Sequence, residues 1–333
     1  MGDKLILDGW NIKITVSGAS LIVLNGIRSD RPTPEKTILN PKQIKINSIL
    51  LFGETGYISL EALKWLALEK IQVDVFKWDG SLISSFNQEK GTIGKRRIGQ
   101  YQTYLNEGRR LKIAQEIIKG KLEGERNVLS LIQYPEVNPN ILIPFIEAVD
   151  KTKSISELMG MEGEAALIYW NEYKKGFPEK MGFNQRSGKE ATDIINTLLN
   201  YGYSLLEADC LRFIGVVGLD PSIGFLHEMR NEKRSLAYDL QEPFRGEIDV
   251  FIWELMIKSK RMKRKDFLRM DNYSLRLWRE GSKKITNAYE IHMSERIEHK
   301  GKLIPRRKVI ERKVFELAQY IEGEKPEIDF LYL

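Results

Sequence analysis

The feature that most constrains this 333-residue chain is a change of hydrophobic period at residues 85–95. Before it, apolar residues come in short β-branched runs at 5–7, 12–16, 21–24 and 43–52, separated by turn signals such as Asp8-Gly9 and Ser17-Gly18. Within that region only 59–70 has helical spacing, with Leu60, Leu63, Leu66 and Leu68 apolar and Ser59 placed as an N-cap. Runs at 73–76 and 82–83 flank Asp79-Gly80, a hairpin signature. After 95 the period becomes that of helices, over 96–120, 122–133, 141–150, 154–175, 189–217 and 235–260, then 264–270, 273–291 and 305–322. The sequence therefore predicts an α+β protein. A small N-terminal β-sandwich-like domain over 1–88 precedes a larger all-α domain over 89–333, with 85–95 as the linker.

No apolar run approaches the ~18–20 residues that span a bilayer, and no basic-then-apolar leader opens the chain. The single cysteine, Cys210, lies in an apolar helical pattern and is expected to be packing. These features point to a cytoplasmic protein with no membrane contact. The net charge is +6, and it is unevenly placed: residues 258–313 carry 19 Lys and Arg against 7 Asp and Glu. Local basic charge is the footprint of a phosphate-backbone binder, although a solvated helix face gives the same pattern.

Three segments carry candidate chemistry. Glu162 is bracketed by Gly160 and Gly163 inside a helical, largely apolar run. Glycine is unfavourable in a helix, so its presence points to the close approach of a ligand or another helix. His227 follows the Pro/Gly turn 220–224, whereas His292 and His299 fall in charged sequence and are expected to be solvated. Asp239 and Glu242 are three apart, with Arg245 three further, so on a helix they share one face. Carboxylates that close need a cation between them, either a metal ion or Arg245. Pro243 interrupts this helix. One imidazole and two carboxylates make a ligand set for Mg²⁺ or Mn²⁺, suited to phosphodiester chemistry.

At these segments the sequence resembles the CRISPR-associated spacer integrase family, the first, universal subunit of the adaptation machinery. The motifs are Gly160-Met161-Glu162-Gly163, Gly224-Phe225-Leu226-His227 and the run from Ser235 to Arg245, with a further match over 193–203. Each is weak alone, but together and in order they are specific. The resemblance implies that Glu162, His227 and Glu242 are both catalytic residues and metal ligands, with Asp239 and Arg245 in support. It implies DNA contacts from Asn196 and Tyr201. It also implies a homodimer formed through the β domain, and a partnership with the small second adaptation subunit. The implied substrate is double-stranded and branched DNA.

The implied reaction is transesterification, in which the 3′-hydroxyl of an incoming fragment attacks a phosphodiester of the repeat array. Hydrolysis follows where water replaces the hydroxyl. Two rivals stand beside this reading: a transposon-type integrase or nuclease of the same fold without a CRISPR role, and a non-catalytic DNA-binding scaffold.

Overall fold

The computed structural model describes residues 3–332 apart from 42, 54, 78–79, 87–93, 133, 189, 230–232 and 272. The chain divides into two compact units, Met1–Glu89 and Lys90–Leu333. The expected boundary at 88/89 and the Asp79 turn position lie outside the described residues.

The N-terminal unit holds strands β1 (Asp3–Leu7), β2 (Ile12–Ser17), β3 (Ser20–Leu24), β4 (Lys36–Leu39), β5 (Ile46–Leu51), β6 (Gly56–Ile58), β7 (Gln72–Phe76) and β8 (Leu82–Phe86), with helix α1 (Leu60–Leu68) before β7. Two four-stranded sheets form, in the orders β1-β5-β7-β8 and β4-β3-β2-β6. Leu7, Ile49 and Val73 from the first meet Ile14, Leu21 and Val23 from the second in one core, closed by Trp65 and Leu66 of α1. This is the expected sandwich. Ser59 caps α1, its hydroxyl accepting from Ala62 N at 3.1 Å. The parallel pairing of β1 with β5 and of β5 with β7 was not legible, because strand runs carry no sign of their direction.

The C-terminal unit is mostly helical: α2 (Gly94–Leu105), α3 (Glu107–Leu131), α4 (Ile143–Ala148), α5 (Ile155–Tyr173), α6 (Ile194–Val217), α7 (Ser235–Gln241), α8 (Arg245–Trp253), α9 (Arg279–Ser294) and α10 (Arg306–Ile321). It is not purely α. Strands β9 (Phe267–Arg269) and β10 (Leu275–Leu277) pair as one hairpin, and β11 (Arg296–His299) and β12 (Lys302–Pro305) as another. The expected helix over 264–270 is therefore a short 3₁₀ turn and a strand. The first long helix also breaks earlier than its periodicity suggests. Asn106 ends one pattern and caps the next, its Oδ1 accepting from Arg109 N at 2.9 Å.

Helix α3 is the centre of this unit and packs against α5, α8 and the 3₁₀ turn Glu242–Phe244. That turn answers the Pro243 anomaly. The proline stands at its start, where the missing N–H costs nothing, and α7 and α8 remain separate short helices.

Candidate active site

Glu162 on α5 and Glu242 on the turn after α7 converge on one ammonium group, Lys121 of α3. Lys121 Nζ lies 2.5 Å from Glu162 Oε1 and 2.8 Å from Glu242 Oε2. The Glu242 Oε2 is buried, with the Lys121 ammonium beside it. Arg245 Nη2 holds the other oxygen at 3.1 Å and lies over the Tyr203 ring. Burial opposes ionisation of Glu242, but Arg245 and Lys121 outweigh it and bring its pKa down to about 2. Burial likewise pulls Lys121 down, yet the Glu242, Glu125 and Glu162 carboxylates hold it above the ordinary lysine range.

His227 is positioned by a buried carboxylate. Asp239 Oδ2 accepts from Phe225 N and Leu226 N, and its Oδ1 accepts from His227 N at 3.0 Å and lies 2.7 Å from His227 Nδ1. Four contacts on one fully buried side chain fold the loop 224–227 around it. Gly224 is required for the same reason, since a Cβ there would stand 2.7 Å from Asp239 Oδ2 and 2.9 Å from Ser235. With Nδ1–H donated to Asp239, Nε2 keeps the free lone pair. The Asp239 hydrogen bond raises the His227 pKa, against its partial burial.

The floor below is a second polar layer. Asp249 receives the hydroxyls of Tyr169 at 2.6 Å and Tyr203 at 2.5 Å, while its carbonyl receives Tyr173 at 2.8 Å. Burial pushes Asp249 up to about 6 despite those donors. Glu125, one turn beyond Lys121 on α3, is pushed up by burial to about 8. Its Oε2 has no hydrogen-bond partner among the described residues.

The structure thus brings Glu162, Glu242, Arg245, Asp239 and His227 into one neighbourhood, and it differs from expectation in the cation. Among the described residues no three His, Cys, Asp or Glu side chains gather closely enough to hold a metal ion, and a lysine stands between the carboxylates instead. Lys121 and Glu125 were missed by sequence reasoning. The available signal was a charged pair, four apart, on an α3 stripe otherwise buried and apolar at Ile117, Ile118 and Leu122.

Other expectations are corrected. Asn196 and Tyr201 are each about 1% exposed. Asn196 bonds Asp193, Gln185 and Ser187, and the Tyr201 hydroxyl meets Thr286 at 3.1 Å, so both side chains have partners within the fold. His292 and His299 are buried, not solvated: His292 faces Glu247, and His299 Nδ1 meets the Tyr332 carbonyl. Part of the basic excess over 258–313 is neutralised by acids outside it, as in Arg306–Glu247, Arg307–Asp209 and Lys313–Asp329. Lys260, Arg261, Lys263, Arg264 and Lys265 stay exposed, in the turns before β9. A cavity of about 470 Å³ lined by Val216, Phe315, Lys302 and Arg312 among others includes none of the residues clustered at Lys121. Lys121 and Glu242 are themselves buried, whereas a Cβ at Gly160 or Gly163 would meet nothing within 4 Å.

Residues 9–291 match the family model described as "CRISPR associated protein Cas1". The chain belongs to the Cas1 family. A curated relative, the CRISPR-associated endonuclease Cas1 3 of Thermus thermophilus, is 27% identical over 304 residues, covering 90% of each chain. Among solved structures, a casposase bound to its integration product is 38% identical with a TM-score of 0.94, over 99% of this chain and 93% of that one. A Cas6-RT-Cas1–Cas2 complex is 21% identical with a TM-score of 0.78, over 97% of this chain and 35% of that longer one, a likeness of fold alone.

Proposed function

We propose that this Cas1-family chain is a metal-dependent DNA endonuclease and integrase. It joins foreign DNA fragments into a CRISPR repeat array by 3′-hydroxyl transesterification. The observation that carries this reading is the convergence of Glu162 and Glu242 on a single cation beside a carboxylate-tethered histidine. The chemistry of the donors suits a small divalent ion, with two carboxylates beside one cation and an imidazole whose Nδ1 is already engaged, although the three side chains do not close around one point here. Glu162, Glu242 and His227 Nε2 would hold Mg²⁺ or Mn²⁺, the histidine favouring Mn²⁺. Such an ion, when bound, supplies Lewis-acid stabilisation of the charge that builds on the phosphoryl oxygens.

The chain's own residues supply the rest. Asp239 fixes the tautomer and direction of His227. Arg245 keeps Glu242 ionised. Gly160 and Gly163 keep the adjoining face of α5 free of side chains. One phosphodiester is exchanged for another, so no nucleotide energy source is needed; water in place of the hydroxyl gives hydrolysis. The exposed cations at 260–265 suit the DNA backbone.

Membership of the Cas1 family supports the small second adaptation subunit as partner. Exposed Leu60, Leu68 and Phe86 on the N-terminal unit support a homodimer formed through it. No helix of the described residues is long and apolar enough to cross a membrane. The cytoplasm, where cellular DNA lies, is the location this reading proposes.

The test is Mn²⁺-dependent joining of a labelled duplex to repeat DNA, with Glu162→Ala, His227→Ala and Glu242→Ala. Each variant should fold and bind DNA, and each should lose joining and cleavage. Normal joining by all three would refute the assignment. A second reading, an integrase of this fold without a CRISPR role, is favoured by the 38% identity to the casposase, which exceeds that to the other proteins described above. Joining that is indifferent to the presence of repeat sequence would favour it.

A further inference from the structure

We infer that Lys121 is a built-in cation that fills the Glu162–Glu242 site until a metal ion enters, and that Glu125 then receives it. The inference rests on the metal-dependent reading above. Two carboxylates that share a site repel, and here the Lys121 ammonium neutralises them at 2.5 and 2.8 Å. A divalent ion cannot share that space with the ammonium, because like charges would then be pressed together in a buried volume. One cation must leave. Arg245 is the poorer candidate, since its guanidinium is engaged by both Glu242 and the Tyr203 ring. Lys121 carries its charge on a flexible four-carbon stem.

The fold already contains a destination. Glu125 is four residues along the same helix, so it shares the face of Lys121 about one turn away. It is 2% exposed, and its Oε2 is buried without a hydrogen-bond partner among the described residues. A carboxyl buried so incompletely served is costly unless a second state uses it. Swinging the ammonium from Glu162 and Glu242 to Glu125 frees both ligands and satisfies that oxygen in one movement. Lys121 thereby holds the site together without metal and sets the affinity with which metal is taken up.

The experiment is titration calorimetry with Mn²⁺, together with thermal melting with and without Mn²⁺, on the full chain, Lys121→Met and Glu125→Gln. Where the competent state is only fractionally populated, apparent affinity falls by that fraction; a site filled by Lys121 nine-tenths of the time is weakened about tenfold. Lys121→Met should bind Mn²⁺ about tenfold tighter or more, melt lower without metal and gain more in melting temperature on adding it. Glu125→Gln should melt at least as high as the wild type without metal and bind Mn²⁺ more weakly. Wild-type or weaker binding by Lys121→Met, or undiminished binding by Glu125→Gln, overturns the inference while the metal site stands. If Lys121→Met fails to fold, Glu125→Gln decides alone. A wild-type chain that binds no Mn²⁺ overturns the metal-dependent reading and this inference with it.

Discussion

Replacing Asp239 by asparagine perturbs the residue that organises the His227 loop while leaving its shape almost unchanged. Its two oxygens divide four donors, with Phe225 N and Leu226 N on Oδ2 and His227 N and Nδ1 on Oδ1. An asparagine has one oxygen and one NH₂. With the NH₂ toward Phe225 and Leu226 two donors go unpaired, but with it toward His227 the imidazole can switch tautomer and accept at Nδ1, leaving only His227 N unpaired at a fully buried position. At about 1–3 kcal/mol for an unsatisfied group, Asp239→Asn should lose about 1–3 kcal/mol of stability. That is a large share of the roughly 5–15 kcal/mol that holds a typical domain folded. If the variant still folds, metal affinity and joining rate should fall about 10–100-fold, because the His227 tautomer is no longer fixed. Urea unfolding followed by tryptophan fluorescence gives the first quantity, and Mn²⁺ titration with strand-transfer kinetics gives the second. Unfolding within about 0.5 kcal/mol of the wild type, together with wild-type joining, would refute the role given to Asp239.

Glycines at the site should respond in opposite ways. Gly224→Ala forces a methyl against Asp239 and Ser235 and should destabilise by about 1–3 kcal/mol. Gly160→Ala, in open space within α5, should stabilise by about 0.5–1 kcal/mol and slow DNA joining, measured by melting and strand transfer. His227 gives a pH dependence. Its folded pKa is raised by Asp239, so its stabilising contribution is complete below the unfolded value of 6.5 and is lost as pH rises through the higher folded value. Metal-free melting should therefore fall across that window while Mn²⁺ affinity rises, and His227→Gln should abolish both trends. Neutralising Lys263, Arg264 and Lys265 should reduce the slope of log binding constant against log salt by about 3 if each meets a phosphate, as read by DNA binding at several salt concentrations. An unchanged slope would place the DNA path elsewhere.

The architecture was legible where one periodicity ruled: the sandwich strands, Ser59 as the cap of α1, and the long helices. It was illegible where tertiary context decided. The parallel order of β1, β5 and β7 depends on partners far away in sequence, and the local β11–β12 hairpin interrupts an otherwise helical region without a clear period of its own. At the candidate site the motif residues announced themselves by unusual neighbours, such as glycines around Glu162 and a proline after Glu242. Lys121 and Glu125 carried a fainter mark, their place on an otherwise apolar stripe of α3, because a Lys and a Glu four apart are also the commonest dress of an exposed helix. Their burial follows from the packing of α3 under α5 and the 242–244 turn. The buried Asn196, His292 and His299 erred the other way: polar character suggested exposure, but each side chain has its partners inside.

The most direct test of the metal-dependent reading is anomalous diffraction from crystals soaked in Mn²⁺. The expected result is a single strong peak with Glu162, Glu242 and His227 Nε2 at about 2.0–2.3 Å, the range for a small divalent ion on oxygen and nitrogen ligands. A saturating soak that leaves no peak there, with Lys121 still seated between the two carboxylates, would contradict it.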